Sequence, residues 1–176
     1  MLLNKIKFTS RRVAGLLVLF LAISCFYSSV QAASYTVETV PNAHLSDRSN
    51  RVSNPDGIIL PEDVATINQM LQLVEDSLSI EVAVVAIESI GDNDARMFAT
   101  DLFKHWGIGK KGEDNGLLIL LVTDPAQRAV VFETGYGIEG ILPDAICYRL
   151  QQNYMIPDLK AGNFSQGMAK GVAAVG

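Results

Sequence analysis

The amino-acid sequence predicts an α/β protein of three layers, an α/β/α sandwich in which a mixed central sheet lies between helices. Apolar residues recur at helical spacing over 61–78 and 95–106. The segments 80–87 and 117–122 are nearly continuous apolar runs, as is typical of strands covered on both faces. A turn at 124–127 follows the second run, so we expect that run to form a hairpin with the apolar segment after the turn. Alternating helices and buried strands are the pattern of this fold class.

Proline residues and one N-cap residue mark the starts of the helices. Pro61 suits the first turn of a helix, where a missing N–H costs nothing. Asp94 precedes the second helix and can cap it. Pro143 opens a third helix that we expect Pro157 to end. A last helix begins at Phe164 and is expected to be still unfinished at the final residue.

The first 32 residues have the pattern of a secretory signal peptide. An acid-free basic region precedes the apolar run 13–23, and small residues precede a cleavage point after Ala32. The basic residues are Lys5, Lys7, Arg11 and Arg12. Two alternatives stay open: an uncleaved membrane anchor reaching Tyr27, or lipidation of Cys25. In each case we expect an exported protein in the periplasm or cell envelope, either free or anchored to the membrane.

The rest of the chain divides into a polar leader at 33–53 and a folded domain at 54–176. The segment from Ser34 to Pro55 is rich in Asn, Ser and Asp and is predicted to be an extended linker or an edge segment. The whole chain has a formal net charge of −5, and without the first 33 residues the net charge is near −9. Such an acidic domain is not expected to bind nucleic acid, which requires a basic surface.

Several familiar catalytic and nucleotide-binding arrangements are not predicted. Cys147 lies in an apolar helix and is expected to be a buried, unpaired thiol. His44 and His105 lie in unlike contexts and do not suggest a pair. The stretch 107–112 lacks the residues of a phosphate-binding P-loop, and 135–140 lacks the strand–turn–helix setting of a dinucleotide site.

Two glycine-rich loops, at 107–116 and 134–140, carry the most informative polar residues. Carboxylate and amide oxygens at loop bends are ligands suited to Ca²⁺ or Mg²⁺. The available donors are Asp56, Glu113, Asp114, Asn115, Glu139 and Asp144. Ligands of open α/β sheets bind beyond the carboxyl ends of the strands, so we expect these acids to converge on a pocket at one rim. The alternative is that they are solvated loop residues and helix caps.

Long motifs in the sequence resemble those of the TPM domain family. The segments 102–109 and 114–116, followed by an apolar strand, resemble one signature, and 133–144 resembles the other. Further matches lie at 56–60 and over 155–167, so the resemblance spans about residues 54–176. It implies an exported or membrane-attached α/β/α domain, of a family often called phosphatases, in which some relatives bind a divalent cation.

The resemblance implies two functions. One is an accessory or assembly module that binds a divalent cation and contacts a membrane-protein partner. The other is a metal-assisted acid phosphatase that hydrolyses a small phosphomonoester, with Asp114 as the base. The metal ligands carried over by motif are Asp56, Asp114, Asn115, Glu139 and Asp144. The residues proposed to face a partner are His105, Trp106 and Tyr136.

Overall fold

The computed structural model describes residues 34–176, and they form a mixed four-stranded sheet between two layers of helices. The strands are β1 (Val52–Ser53), β2 (Glu81–Ile87), β3 (Gly116–Val122) and β4 (Ala129–Thr134). Their order in the sheet follows the chain. β1, β2 and β3 are parallel, whereas β4 pairs antiparallel with β3, so the predicted hairpin is confirmed.

Helices connect and cover these strands. The α-helices are α1 (Ala43–Ser46), α2 (Pro61–Leu78), α3 (Ala95–Trp106), α4 (Asp144–Leu150), α5 (Ile156–Lys160) and α6 (Phe164–Ala173). A 3₁₀ turn at Tyr136–Ile138 follows β4, and a π-helical segment at Gln151–Met155 joins α4 to α5. The Asp94 side chain accepts hydrogen bonds from the N–H groups of Arg96 and Met97, so its predicted role as the cap of α3 is confirmed.

The two faces of the sheet bury separate hydrophobic cores. Side chains of a strand alternate between the faces, and β3 contributes Leu117, Ile119 and Leu121 to one core and Leu118, Leu120 and Val122 to the other. The first core is closed by α2, α4, α5 and α6, and the second by α3 and residues 35–40. Every residue of β3 is buried, which explains its almost unbroken apolar sequence.

The prediction that Pro157 ends a helix is wrong. The chain remains helical from Asp144 to Lys160, because the π-helical segment shifts the hydrogen bonding and lets a new α-helix begin at Ile156. Pro157 then lies in the first turn of α5, where its missing N–H removes no hydrogen bond. The last helix ends at Ala173 rather than running unfinished to Gly176, and Val175 beyond it is buried.

The polar segment from Ser34 onward is an edge segment rather than a free linker. Ser34 forms a bridge with Ser89, and β1 lies parallel to β2. Val40 is 4 % exposed and Val52 3 % exposed, so both belong to the hydrophobic cores. The predicted signal peptide lies outside the described residues. Within 34–176, no helix combines the length and apolarity needed to cross a bilayer.

Candidate functional site

The two glycine-rich loops meet at one end of the strands, on a single rim of the sheet, as the sequence predicts. β4 runs antiparallel to β3, so the loop that follows β4 reaches the start of β3. The Gly135 N–H donates to the Gly116 carbonyl at 2.8 Å, and the Gly137 N–H donates to the Asp114 carbonyl at 3.0 Å. We call this contact surface, formed by residues 107–116 and 134–140, the loop rim. It lies at the amino ends of β2 and β3, whereas ligands of open α/β sheets usually bind beyond the carboxyl ends of the strands.

Backbone lies directly against backbone where the loops cross. A Cβ added at Gly135 would lie 2.1 Å from the Asp114 carbonyl oxygen, and one at Gly137 would lie 1.8 Å from that of Glu113. Both distances are far inside van der Waals contact, so only glycine fits at either position. This close approach fixes the position of one loop relative to the other.

Asn115 ties the first loop to the rest of the domain. Its Oδ1 accepts a hydrogen bond from the Lys110 N–H at 2.7 Å. Its Nδ2 donates to the Ser79 carbonyl, at the end of α2, and to Glu113 Oε2 at 2.9 Å. The residue is 7 % exposed, so these bonds satisfy a buried amide. Asn115 therefore acts as a positioning residue, and its side-chain oxygen is already bonded to backbone.

Three exposed carboxylates lie on the loop rim. Glu113 and Asp114 belong to the first loop, and Glu139 follows the 3₁₀ turn in the second. Asp114 has φ 48°, in the left-handed region that Asp and Asn adopt more readily than other non-glycine residues. The two lysines of the first loop, Lys110 and Lys111, are also exposed, so the rim carries both signs of charge.

Asp56 lies at the opposite end of the strands. Its Oδ2 accepts a hydrogen bond from the N–H of Glu88, the residue that follows β2, at 2.8 Å, and its Oδ1 accepts from the Tyr35 hydroxyl at 2.8 Å. Asp114 precedes β3 at the other end, and the seven residues of β2 separate the two ends by about 20 Å. The structure thus places Asp114, Asn115 and Glu139 on the loops that form the rim but does not bring Asp56 to them.

Asp144 occupies the first turn of α4, where a negative charge is favourable near the helix N-terminus. In the described part of the chain, no three His, Cys, Asp or Glu side chains are arranged to hold a metal ion. The charged oxygen ligands that the rim offers are therefore its three exposed carboxylates, those of Glu113, Asp114 and Glu139.

Exposed apolar side chains border the loop rim. Tyr136 is 81 % exposed at the crossing of the loops, and Ile141 is 57 % exposed just beyond the second loop. His105 is exposed near the end of α3, whereas Trp106 is half-buried and packs against the core beneath that helix. Of the three residues predicted to face a partner, Tyr136 offers the most surface.

The single cysteine of the described chain is buried, as predicted. Cys147 is 5 % exposed and its thiol lies 3.5 Å from the Leu142 carbonyl oxygen, to which it donates. Burial raises the pKa of this thiol, and the negative charge of Asp144 raises it further. A protonated, enclosed thiol is a poor nucleophile.

Two supporting residues escaped the sequence analysis. Ser79 ends α2 in the left-handed conformation and offers its carbonyl to Asn115 from 36 residues away. Tyr35 binds Asp56 across 21 residues. Neither bond has a local sequence signal, because each depends on the way β1, β2 and β3 lie side by side.

Comparisons with known proteins agree with this architecture. The sequence profile described as the TPM domain matches residues 52–176. The solution structure of an N-terminal domain of a protein from P. gingivalis is 39 % identical, with a TM-score of 0.74, and the match covers 81 % of this chain and 90 % of that one. A search of curated proteins found no significant match.

Two more distant solution structures share the fold. The N-terminal domain of cg2496 from Corynebacterium glutamicum is 17 % identical with a TM-score of 0.59, over 81 % of this chain and 85 % of that one. The BA42 protein from Bizionia argentinensis is 21 % identical with a TM-score of 0.57, over 69 % of this chain and 81 % of that one.

Proposed function

The chain belongs to the TPM domain family, and from this premise we propose that it is an exported accessory module whose binding surface is the loop rim. The observation that carries the proposal is the crossing of the two glycine-rich loops. Hydrogen bonds from Gly135 and Gly137 hold two segments that are distant in sequence in one fixed arrangement. A surface whose backbone is fixed in advance loses little conformational entropy when a ligand binds.

The proposed ligand is a divalent cation, Ca²⁺ or Mg²⁺, held by Asp114 and Glu139. Both carboxylates are exposed on the rim, and Ca²⁺ accepts flexible sets of carboxylate, carbonyl and water oxygens. Asn115 would shape the site without ligating the ion, since its Oδ1 already accepts from Lys110. A site with so few charged ligands is expected to bind weakly, in the range of about 0.1 to 1 mM that is typical of extracellular modules.

Thermal unfolding in the presence of Ca²⁺ tests the site. A tenfold to hundredfold excess of ion over its Kd stabilises the folded state by about 1.4 to 2.7 kcal/mol. For a domain of this size, that corresponds to a rise in Tm of about 4 to 9 °C. Residues 34–176 are suitable for the measurement because they contain both hydrophobic cores and every strand of the sheet.

Variants that neutralise carboxylates on and off the rim locate the effect. The double variant Asp114→Asn, Glu139→Gln removes both proposed ligands, while Asn keeps the tolerance for the left-handed conformation at position 114. Asp101→Asn, on the exposed face of α3, removes a carboxylate away from the rim and serves as the control. The double variant should lose the rise in Tm and the control should keep it. An equal rise in all three proteins would place the ion elsewhere and refute the site.

The proposed partner is a membrane protein of the same compartment, contacted through Tyr136 beside the cation. An exposed tyrosine offers a large, rigid contact area, and tyrosine is enriched among residues that dominate binding energy. Immobilised domain should retain a partner from detergent-solubilised envelope membranes. Tyr136→Ala should lose it, whereas Tyr148→Ala, which truncates a tyrosine 61 % exposed on α4, should retain it. Equal retention by both variants would contradict the assignment of the rim.

A metal-assisted phosphatase is the second candidate, favoured by the exposed lysines next to Asp114. Lys110 and Lys111 can attract a phosphomonoester to the loop that carries the proposed base. The cation, when bound, would supply charge neutralisation. Hydrolysis of p-nitrophenyl phosphate by purified protein, lost in Asp114→Asn, would support this function. Activity unchanged by that substitution would indicate a contaminant and exclude Asp114 as the base.

A further inference from the structure

β4 is an edge strand whose outer side pairs with no other strand of the described chain. β4 is the last strand of the sheet, and its hydrogen bonding to β3 uses alternate residues. The Gly135 N–H donates to the Gly116 carbonyl, so the main-chain N–H and C=O groups of the odd-numbered residues of β4 point toward β3. The Thr123 N–H donates to the Ile87 carbonyl, so the main-chain N–H and C=O groups of the odd-numbered residues of β3 point toward β2. The main-chain groups of the even-numbered residues of β3 therefore point toward β4. Val130, Phe132 and Thr134 therefore direct their N–H and C=O groups away from the sheet.

These outward groups have no partners within the described chain. No backbone or side-chain group of residues 34–176 forms a hydrogen bond with the main chain of Val130, Phe132 or Thr134 at the outer edge. Phe132 packs its side chain into the first hydrophobic core, and Val130 and Thr134 on either side of it are partly exposed. Unpaired main-chain N–H and C=O groups along an edge strand can pair with an added strand.

The sequence of β4 lacks several of the devices that protect an edge strand against strand addition. Proteins guard an exposed edge with proline, lysine, a bulge or a very short strand. β4 has six residues in unbroken register with β3, contains no proline and no lysine, and carries a single charge at Glu133. By contrast, β1 at the other edge has two residues.

We propose that the β4 edge pairs antiparallel with the same edge of a second copy of this chain, which joins two sheets into one of eight strands. A two-fold axis at Phe132 pairs Phe132 with its counterpart and Val130 with Thr134 of the second copy. This register uses all three outward residues of each strand and forms six main-chain hydrogen bonds. Glu133 then faces Val131 of the second copy rather than another Glu133, so no like charges lie directly opposite. A closed two-fold contact is the commonest form of homo-oligomer.

Proline scanning of the edge tests this pairing. Proline at position 130 or 134 removes an outward N–H and no hydrogen bond to β3, so the fold should persist. Val130→Pro removes two hydrogen bonds per dimer and should weaken dimerisation about 30-fold in sedimentation equilibrium. The control Val130→Ala keeps the N–H and should dimerise more tightly than the proline variant. Far-ultraviolet circular dichroism checks that each variant is folded.

Hydrogen exchange on the unaltered protein gives a second measurement that does not depend on a variant. The amides of Val130, Phe132 and Thr134 should become protected as the concentration rises from micromolar to millimolar, while those of Val131 and Glu133 are protected throughout. A monomer over that whole range, with exchange at positions 130, 132 and 134 independent of concentration, would overturn the proposal. So would a dimer that Val130→Pro leaves intact.

Discussion

Replacement of Gly137 by alanine should destabilise the domain by about 3 kcal/mol. The new Cβ would lie 1.8 Å from the Glu113 carbonyl oxygen, and a main-chain oxygen cannot rotate away as a side chain can. Overpacking of this kind costs about 1 to 3 kcal/mol. Separation of the two loops would also weaken the 3.0 Å hydrogen bond from the Gly137 N–H to Asp114, which adds about 1 kcal/mol.

Differential scanning calorimetry gives the direct measurement. A loss of about 3 kcal/mol corresponds to a fall in Tm of about 10 °C for a domain of this size. Gly140→Ala is the matched control, because a Cβ at that position meets nothing within 4 Å and its φ is not positive. If Gly137→Ala melts at the same temperature as Gly140→Ala, the loops do not lie backbone to backbone and the described rim is wrong.

Three further outcomes are expected. Asn115→Asp should lower the free energy of unfolding in urea by about 2 to 4 kcal/mol at neutral pH, because it removes the donor to Ser79 and sets a second carboxylate beside Glu113; an unchanged urea midpoint would contradict its positioning role. Tyr35 should titrate near pH 12 by ultraviolet absorbance, because partial burial and the hydrogen bond to Asp56 raise its pKa to about 12. A raised tyrosine pKa contributes stability below the ordinary value of about 10 that is lost as the pH rises toward 12, so Tyr35→Phe should remove both the late titration and that alkaline loss. In residues 34–176, Cys147 should react with a thiol reagent only on unfolding, because burial raises its pKa; rapid reaction of the native protein would refute its burial.

Much of the fold could be predicted because the relevant signals are local. The long apolar runs of β2 and β3 indicate strands covered on both faces, and Asp94 marks the start of α3. The end of the third helix could not be predicted from Pro157. Proline stops an α-helix by removing an N–H and by a steric clash, but a π-helical segment shifts the register so that proline falls in a first turn.

The meeting of the two loops could be predicted from the sequence, but the location of Asp56 could not. Glycines in two loops with carboxylates between them indicated a close approach of backbone, and the loops do meet. The two loops meet because β4 runs antiparallel to β3, so the end of β4 lies beside the start of β3. Residue type and the motif resemblance both place Asp56 among the expected ligands with Asp114, but neither carries information on where Asp56 lies in the sheet. Its actual partners, Tyr35 and Glu88, lie at the opposite end of the strands, because β1 and β2 are parallel.

A titration of residues 34–176 with Ca²⁺, followed by amide chemical shifts in ¹H–¹⁵N spectra, tests the central claim most directly. The account predicts saturable shifts at sub-millimolar to millimolar ion, centred on Asp114 and Glu139 and confined to 107–116 and 134–141. Shifts centred instead on Asp56 and Glu88, or none up to tens of millimolar ion, would contradict the assignment of the loop rim as the cation-binding surface.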